Sequence, residues 1–151
     1  MAVDTIAPVM RSITVERSPE DAFRIFTERI ADWWPLRTHS VYGAEAASAA
    51  VEPGVGGRLL ERSLAGEESS WGEILVWEPP HRLAYTWHPG YEEGDPVTEV
   101  EIRFTAVGEA TRVDVEHRGW EALGERAEET RAGYAEGWPL VLASYAAATT
   151  A

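Results

Sequence analysis

The sequence predicts an α+β domain in which a curved antiparallel sheet packs around a long C-terminal helix. Three observations indicate this class. Short β-rich segments of alternating polarity fill the middle of the chain, glycine and proline clusters separate them, and the apolar period lengthens from two to about 3.6 residues near the C-terminus. One or two short helices follow the first strand. We expect about six or seven strands.

The chain opens with a strand and then a helix. Residues 9–17 alternate in polarity, which is typical of a half-buried strand. Ser18 then has the character of a helix N-cap, with Pro19 at the first helical position and two acidic residues behind it. An apolar stripe continues until Trp33 and Trp34, where a following proline favours an end or a second short helix.

From Val41 to Arg118 the pattern indicates an antiparallel meander with no helix. Glycines and prolines mark the turns, and the segments between them are rich in β-branched and aromatic residues. The predicted strands are 58–63, 70–78, 82–88, 98–104 and 112–118.

The last segment predicts a long amphipathic helix. Apolar residues recur every three or four positions from Leu123 to Tyr145. Gly137 is a poor helix former and Pro139 removes a backbone donor, so we expect a kink or a break there, with helix resuming over 140–148. A strongly curved sheet that holds such a helix leaves space between them for a ligand.

Length and charge limit the organisation and the partners. The 151 residues form one predicted domain, 1–151, with its core at about 9–148. The formal net charge of −13 repels phosphate backbones and anionic lipid head groups, so neither nucleic acid nor a membrane is an expected partner. The sequence has no cysteine, no signal peptide and no membrane-spanning apolar run, which predicts a cytoplasmic protein. An exposed sheet edge could support a homodimer.

Seven tryptophans in a chain of this length suggest a cavity wall. Each indole combines a large apolar surface with an N–H that needs a partner, a combination that suits ligand pockets. The alternative is that the same rings only fill a core. The predicted ligand-binding residues are Trp34, Trp71, Tyr85, Trp87, Ile102, Phe104, His117, Tyr134 and Trp138.

Several short motifs, taken together and in order, resemble one family. They are Trp33-Trp34-Pro35, Gly56-Gly57, Trp71-Gly72, Glu78-Pro79-Pro80, Leu83-Ala84-Tyr85-Thr86-Trp87, His117-Arg118-Gly119-Trp120 and Gly137-Trp138. The set is similar to the SRPBCC or START-like superfamily, in the branch of the C-terminal domain of the heat shock protein 90 ATPase activator. The resemblance covers about residues 10–147. It implies the helix-grip fold and a cavity for hydrophobic small molecules, although relatives with this fold differ widely in chemistry.

The candidate catalytic residues are His117 and Glu73. His117 shares parity with apolar neighbours, so its ring could face the cavity as a general acid or base, or be held as a structural histidine. Glu61 and Glu73 are the carboxylates of interest, and Glu73 could face the aromatic residues of its strand or point into solvent. His39 could lie at the pocket mouth or be exposed. No ligand spacing for a metal occurs, and no cofactor is expected.

Three functions are consistent with these features. The first is binding of a hydrophobic or aromatic small molecule without catalysis. The second is an aromatase/cyclase-like or hydratase-like enzyme that uses His117, with Glu73 or Tyr85. The third, which rests on the resemblance alone, is a co-chaperone that regulates a larger ATPase.

Overall fold

The computed structural model describes residues 6–90, 92 and 94–150. In chain order the elements are β1 Val9–Val15, α1 Pro19–Glu28, α2 Ile30–Trp33, a 3-10 turn Gly43–Glu45, β2 Ala46–Val51, β3 Arg58–Ser63, β4 Glu68–Glu78, β5 Arg82–Trp87, β6 Thr98–Val107, β7 Ala110–Arg118, a 3-10 segment Trp120–Arg126 and α3 Ala127–Thr149. The α+β class and the helix-grip arrangement are confirmed. None of the helices in these described ranges combines the length and the hydropathy needed to cross a membrane.

The seven strands form one antiparallel sheet. Their order is β1-β7-β6-β5-β4-β3-β2, so the first strand pairs with the last and β2 forms the opposite edge. Val9 pairs with His117 across β1 and β7, and His117 pairs with Val100 across β7 and β6. His117 lies near the C-terminal end of β7 on the buried sheet face, where its ring contacts Tyr134 and Trp138 of α3.

Strand β2 was not predicted from the sequence, and β4 departs from strict alternation. β2 is rich in alanine, which is depleted in strands, so its composition carries no strand signal. In β4 the register shifts at Trp71 and again at Leu75, which are β-bulges. Trp71 and Ile74 are therefore both buried, while Leu75 and Glu73 are exposed.

The C-terminal helix differs from the prediction at its start and at its proline. Residues 120–126 form a 3-10 segment, so α3 begins at Ala127. The helix then runs without a break through Pro139. Proline lacks an N–H and cannot bond the Ala135 carbonyl four residues earlier. That carbonyl accepts a hydrogen bond from Nη2 of Arg11 on β1 at 3.0 Å.

Aromatic contacts join α1 and α3 over the sheet. The ring of Phe26 lies 5.2 Å from that of Tyr145 and 6.0 Å from that of Phe104. The hydroxyl of Tyr145 donates to the Ala22 carbonyl at 2.7 Å. Burial raises the pKa of Tyr145, so the phenol stays protonated and keeps this bond. This end of the core is filled with side chains and leaves the other end for the cavity.

Glu101 lies on the opposite face of the sheet, under three arginines. Its carboxylate bonds Arg82 and Arg118 at 2.7 Å each and pairs with Arg103 at 2.8 Å. Burial raises the pKa of Glu101, but the hydrogen bonds from Arg82 and Arg118 outweigh burial, and the pKa is lowered overall. The outer face of the sheet is thus held by a charge network, and the inner face by aromatic packing.

Candidate functional site

A cavity of about 440 Å³ lies between α3 and the inner face of the sheet. Its size is within the range of small-molecule sites in proteins. The loop after α2, the strands β4 and β5, the loop after β5 and one face of α3 form its wall. The lining residues are Trp34, Thr38, His39, Ser40, Val41, Trp71, Trp87, Pro89, Gly90, Tyr134, Gly137, Trp138 and Val141.

Four indoles form a continuous aromatic wall. The ring centroids of Trp34 and Trp71 lie 4.9 Å apart, and Trp87 lies 5.8 Å from Trp34 and 5.7 Å from Trp71. Trp138 reaches from α3 to within 6.4 Å of Trp87. The tilted geometries are those that aromatic pairs prefer. Because the wall borders open volume, these rings do more than fill a core.

Glu61 anchors this wall to the loop after α2. Its buried carboxylate accepts hydrogen bonds from the backbone N–H groups of Val41 at 2.6 Å and Tyr42 at 3.1 Å. It also accepts the indole N–H of Trp71 at 2.6 Å. One acidic group therefore fixes both a tryptophan and the loop that carries Thr38 and Val41. Three donors satisfy the buried carboxylate without a cation.

His39 is the histidine that borders the cavity in the described chain. Its Nδ1 lies 2.7 Å from the Thr38 hydroxyl, and its carbonyl accepts the indole N–H of Trp34 at 2.7 Å. The ring packs against Gly137 of α3, where a β-carbon would lie 3.7 Å from Nε2. A β-carbon at residue 137 would therefore make ordinary van der Waals contact with the imidazole ring. With Nδ1 bonded to Thr38, Nε2 is the nitrogen positioned to meet a ligand.

His117 lies behind the wall and is fully buried. Its Nδ1 accepts the indole N–H of Trp138 at 3.0 Å, and its Nε2 lies 2.7 Å from the Thr98 hydroxyl. Accepting at Nδ1 requires the proton on Nε2, so the ring is a neutral donor to Thr98. Burial lowers the pKa of His117 to about 3. Both ring nitrogens are occupied, which favours the structural reading of this residue over proton transfer.

Two buried polar groups beside the wall lack partners. Nε1 of Trp87 and the hydroxyl of Tyr85 have no hydrogen-bond partner among the residues that the structure describes. The two rings are neighbours, with centroids 5.9 Å apart. Burial raises the pKa of Tyr85, so its hydroxyl remains a donor. Such groups are uncommon in folded proteins, so each of them needs an explanation.

The predicted ligand-binding residues divide into two groups. Five border the cavity, namely Trp34, Trp71, Trp87, Tyr134 and Trp138. Four are buried behind it or beside it, namely Tyr85, Ile102, Phe104 and His117. Of the two carboxylates considered, Glu73 is exposed, while Glu61 is buried and supports the wall.

Apart from His39, the loop residues that complete the cavity were not predicted from the sequence. Thr38, Ser40, Val41, Pro89 and Gly90 come from two irregular segments. Loop residues have no periodicity that would orient them toward the sheet, so no pattern in the chain indicated them. In the described part of the chain, no group of three His, Asp or Glu side chains is placed to hold a metal ion.

Comparisons with known proteins agree with this architecture. Among solved structures, an anthrahydroquino-gamma-pyrone synthase, Txn09, is 40% identical, with a TM-score of 0.60 over 83% of this chain and 84% of that chain. The self-sacrificing resistance protein CalC from Micromonospora echinospora is 29% identical, with a TM-score of 0.68 over 95% and 94%. An Hsp90 activator from Plasmodium falciparum, PFC0360w, is 20% identical, with a TM-score of 0.53 over 75% and 73%, and shows the fold alone. No curated protein sequence gives a significant match.

The family profile described as Activator of Hsp90 ATPase homolog 1-like protein matches residues 16–149. That range runs from the end of β1 to the end of α3 and includes every residue of the cavity wall. The protein therefore belongs to the Activator of Hsp90 ATPase homolog 1-like family, within the SRPBCC superfamily.

Proposed function

We propose that this protein binds a flat, polycyclic aromatic small molecule in the tryptophan-lined cavity. The observation that carries the proposal is the open volume of about 440 Å³ bordered by four indoles. Rigid rings lose little conformational entropy when they bind, and each aromatic contact adds about 0.5–1.5 kcal/mol beyond area burial. A flexible acyl chain would gain less from such a wall.

The ligand class also follows from the polar groups of the wall. His39, Thr38 and Ser40 supply hydrogen-bonding groups at the loop side of an otherwise aromatic cavity. A few polar groups on an apolar wall typically fix the orientation of a ligand. The 40% identical relative is named an anthrahydroquino-gamma-pyrone synthase, which supports an oxygenated polycyclic ligand here as well.

The binding proposal can be tested by closing the cavity from α3. Gly137 borders the cavity, whereas Gly133 is exposed one helical turn earlier, with open space around it. We expect flat aromatic probes such as hydroxyanthraquinones to quench the tryptophan fluorescence of the wild type. Gly137→Leu should weaken this binding by at least about tenfold, because the added side chain enters the cavity.

Gly133→Leu is the matched control, since it adds the same side chain to the same helix outside the cavity. It should leave the affinity unchanged, and both variants gain helix propensity over glycine. No quenching by any flat aromatic probe, or equal binding by both variants, would count against the proposal.

A second candidate function is ring closure of an aromatic polyketide, with His39 as acid and base. The placement of His39 on the cavity wall and the name of the 40% identical relative favour it. In such a step a phenol oxygen adds to the distal ketone of a neighbouring 1,3-diketone. The resulting hemiketal loses water and gives the γ-pyrone. One C–O bond forms and one breaks, water leaves, and no oxidant is needed.

His39→Gln separates this function from binding. If the protein catalyses the closure, the variant should lose about a hundredfold in turnover of a hydroxyanthraquinone with a 1,3-diketone side chain. Affinity for that compound should change little. His81→Gln, at an exposed turn, is the control and should retain the rate. If the wild type shows no turnover, the ring-closure function is contradicted and the binding function alone is retained.

The third hypothesis, regulation of a larger ATPase, gains no structural support beyond the family name. The similarity to the Plasmodium Hsp90 activator shows a common fold and is no evidence for a common function. No feature of the described surface favours it over the cavity.

A further inference from the structure

Trp87 differs from the other indoles of the cavity wall in its hydrogen bonding. Trp34 donates to the His39 carbonyl, Trp71 to Glu61 and Trp138 to His117. The buried Nε1 of Trp87 has no partner among the described residues. An unsatisfied buried donor carries the full cost of its lost hydration, so a fold retains one rarely.

The position of Trp87 makes this donor available to a ligand. The residue borders the cavity, and its ring packs against Trp34, Trp71, Tyr134 and Trp138. No hydrogen bond from a described residue ties the indole in one orientation, so packing against these rings holds it. Trp87 is 4% exposed and its Nε1 is buried, so this donor meets a ligand atom only if the indole turns toward the cavity.

We propose that the indole N–H of Trp87 donates a hydrogen bond to a ring oxygen of the ligand, so that the cavity selects oxygenated polycycles over hydrocarbons of the same outline. The inference rests on the proposed binding function and adds the feature that the ligand must carry. A quinone or pyrone carbonyl in the plane of a flat ring system supplies such an acceptor. The aromatic wall would contact the rings of the ligand, and the indole N–H of Trp87 would donate a hydrogen bond to its oxygen.

A pair of probes with the same outline tests the inference. Anthracene and 9,10-anthraquinone both have three fused rings, but only the second has acceptors. We define the selectivity as the Kd of anthracene divided by the Kd of anthraquinone. In Trp87→Phe this selectivity should fall about fivefold below the wild-type value, because one hydrogen bond is lost. The loss of ring packing weakens the binding of both probes by a similar factor, and this factor cancels in the ratio of the two Kd values.

Trp77→Phe is the matched control. It makes the same substitution in a partly buried indole of β4 that packs against Phe23 and does not border the cavity. Its selectivity should equal that of the wild type. An equal selectivity in wild type and Trp87→Phe overturns the inference while leaving aromatic binding intact. Failure of both probes to bind the wild type overturns the proposed function itself.

A second measurement covers the case in which Trp87→Phe does not fold. In a 15N-labelled wild-type protein, the indole N–H resonance of Trp87 should shift when anthraquinone is added and move less with anthracene. The resonance can be identified from contacts to neighbouring assigned protons. Equal shifts with the two probes would contradict a specific bond to the oxygen.

Discussion

At the scale of single residues, His117 shows how burial fixes a protonation state. The ring sits between Trp138 and Thr98 and must be neutral to accept from one and donate to the other. Protonation would place a second N–H against the Trp138 indole N–H and bury a charge that no described acidic residue pairs with. The pKa of His117 is lowered because both effects disfavour the protonated ring.

This arrangement predicts a loss of stability in mild acid. The folded-state pKa of His117 is about 3, below its ordinary value of 6.5. Between these values the unfolded chain binds a proton that the folded chain does not, so the free energy of unfolding falls as the pH falls. The fall should approach about 1.4 kcal/mol per pH unit below about 6.5. Urea unfolding followed by tryptophan fluorescence at pH 7 and pH 5 measures it.

His117→Gln serves as the control for this prediction, because glutamine does not titrate. The variant should be less stable at pH 7 and should lose less stability between pH 7 and pH 5. Glu101 and Asp114 do not interfere, since their pKa values are lowered and their contributions are lost only in stronger acid. Parallel pH dependence in wild type and variant would rule out His117 as the cause.

At the scale of elements, α3 and β1 are joined by a bond that compensates for a proline. Pro139 leaves the Ala135 carbonyl without its helical donor, and Arg11 supplies a substitute. Arg11→Met keeps much of the aliphatic stem but removes the donor. It should destabilise the protein by about 1 kcal/mol. Thermal or urea unfolding measures the difference.

The proline provides an internal test of that mechanism. In Pro139→Ala the backbone N–H of residue 139 can bond the Ala135 carbonyl, so Arg11 is no longer required for it. Arg11→Met should therefore cost less in the Pro139→Ala background than in the wild type, and a double-mutant cycle gives the coupling energy. A coupling energy near zero would show that the two residues act independently.

Elements with a strong period could be predicted from the sequence, and irregular ones could not. The strands after Gly57 appear where the alternation places them, and the 3.6-residue period predicts the long last helix except for its start and its continuity through Pro139. Strand β2 was not predicted because its segment is mostly alanine and has few β-branched residues. The sequence did not show which face of the sheet Glu73 lies on. Two bulges in β4 change which residues are buried, and bulges leave no periodic signal.

The same limit explains how much of the site could be predicted. The indoles of the wall are visible in the sequence because tryptophan is rare and large. The role of Glu61 depends on a loop folding back over the strand to present two backbone N–H groups. That contact joins residues about twenty positions apart and follows from tertiary packing rather than from local sequence.

At the scale of the whole molecule, the net charge of −13 opposes compaction. Many arginines are paired with acids, yet acidic residues exceed basic ones two to one, 26 against 13. We expect added NaCl to raise the melting temperature between low and physiological ionic strength, because screening reduces repulsion among the unpaired carboxylates. Sulfate is avoided since it also strengthens apolar burial. A melting temperature that falls with NaCl would mean that the arginine pairs dominate.

The close indole pair gives the protein an optical signature of its own. Chromophores whose centroids are 4.9 Å apart, as in Trp34 and Trp71, share their electronic transitions. The far-ultraviolet circular dichroism of the folded chain should contain an exciton couplet superimposed on the bands of helix and sheet. A ligand that binds beside these two indoles would perturb the couplet. The far-ultraviolet circular dichroism of the free protein should therefore differ from that of the complex.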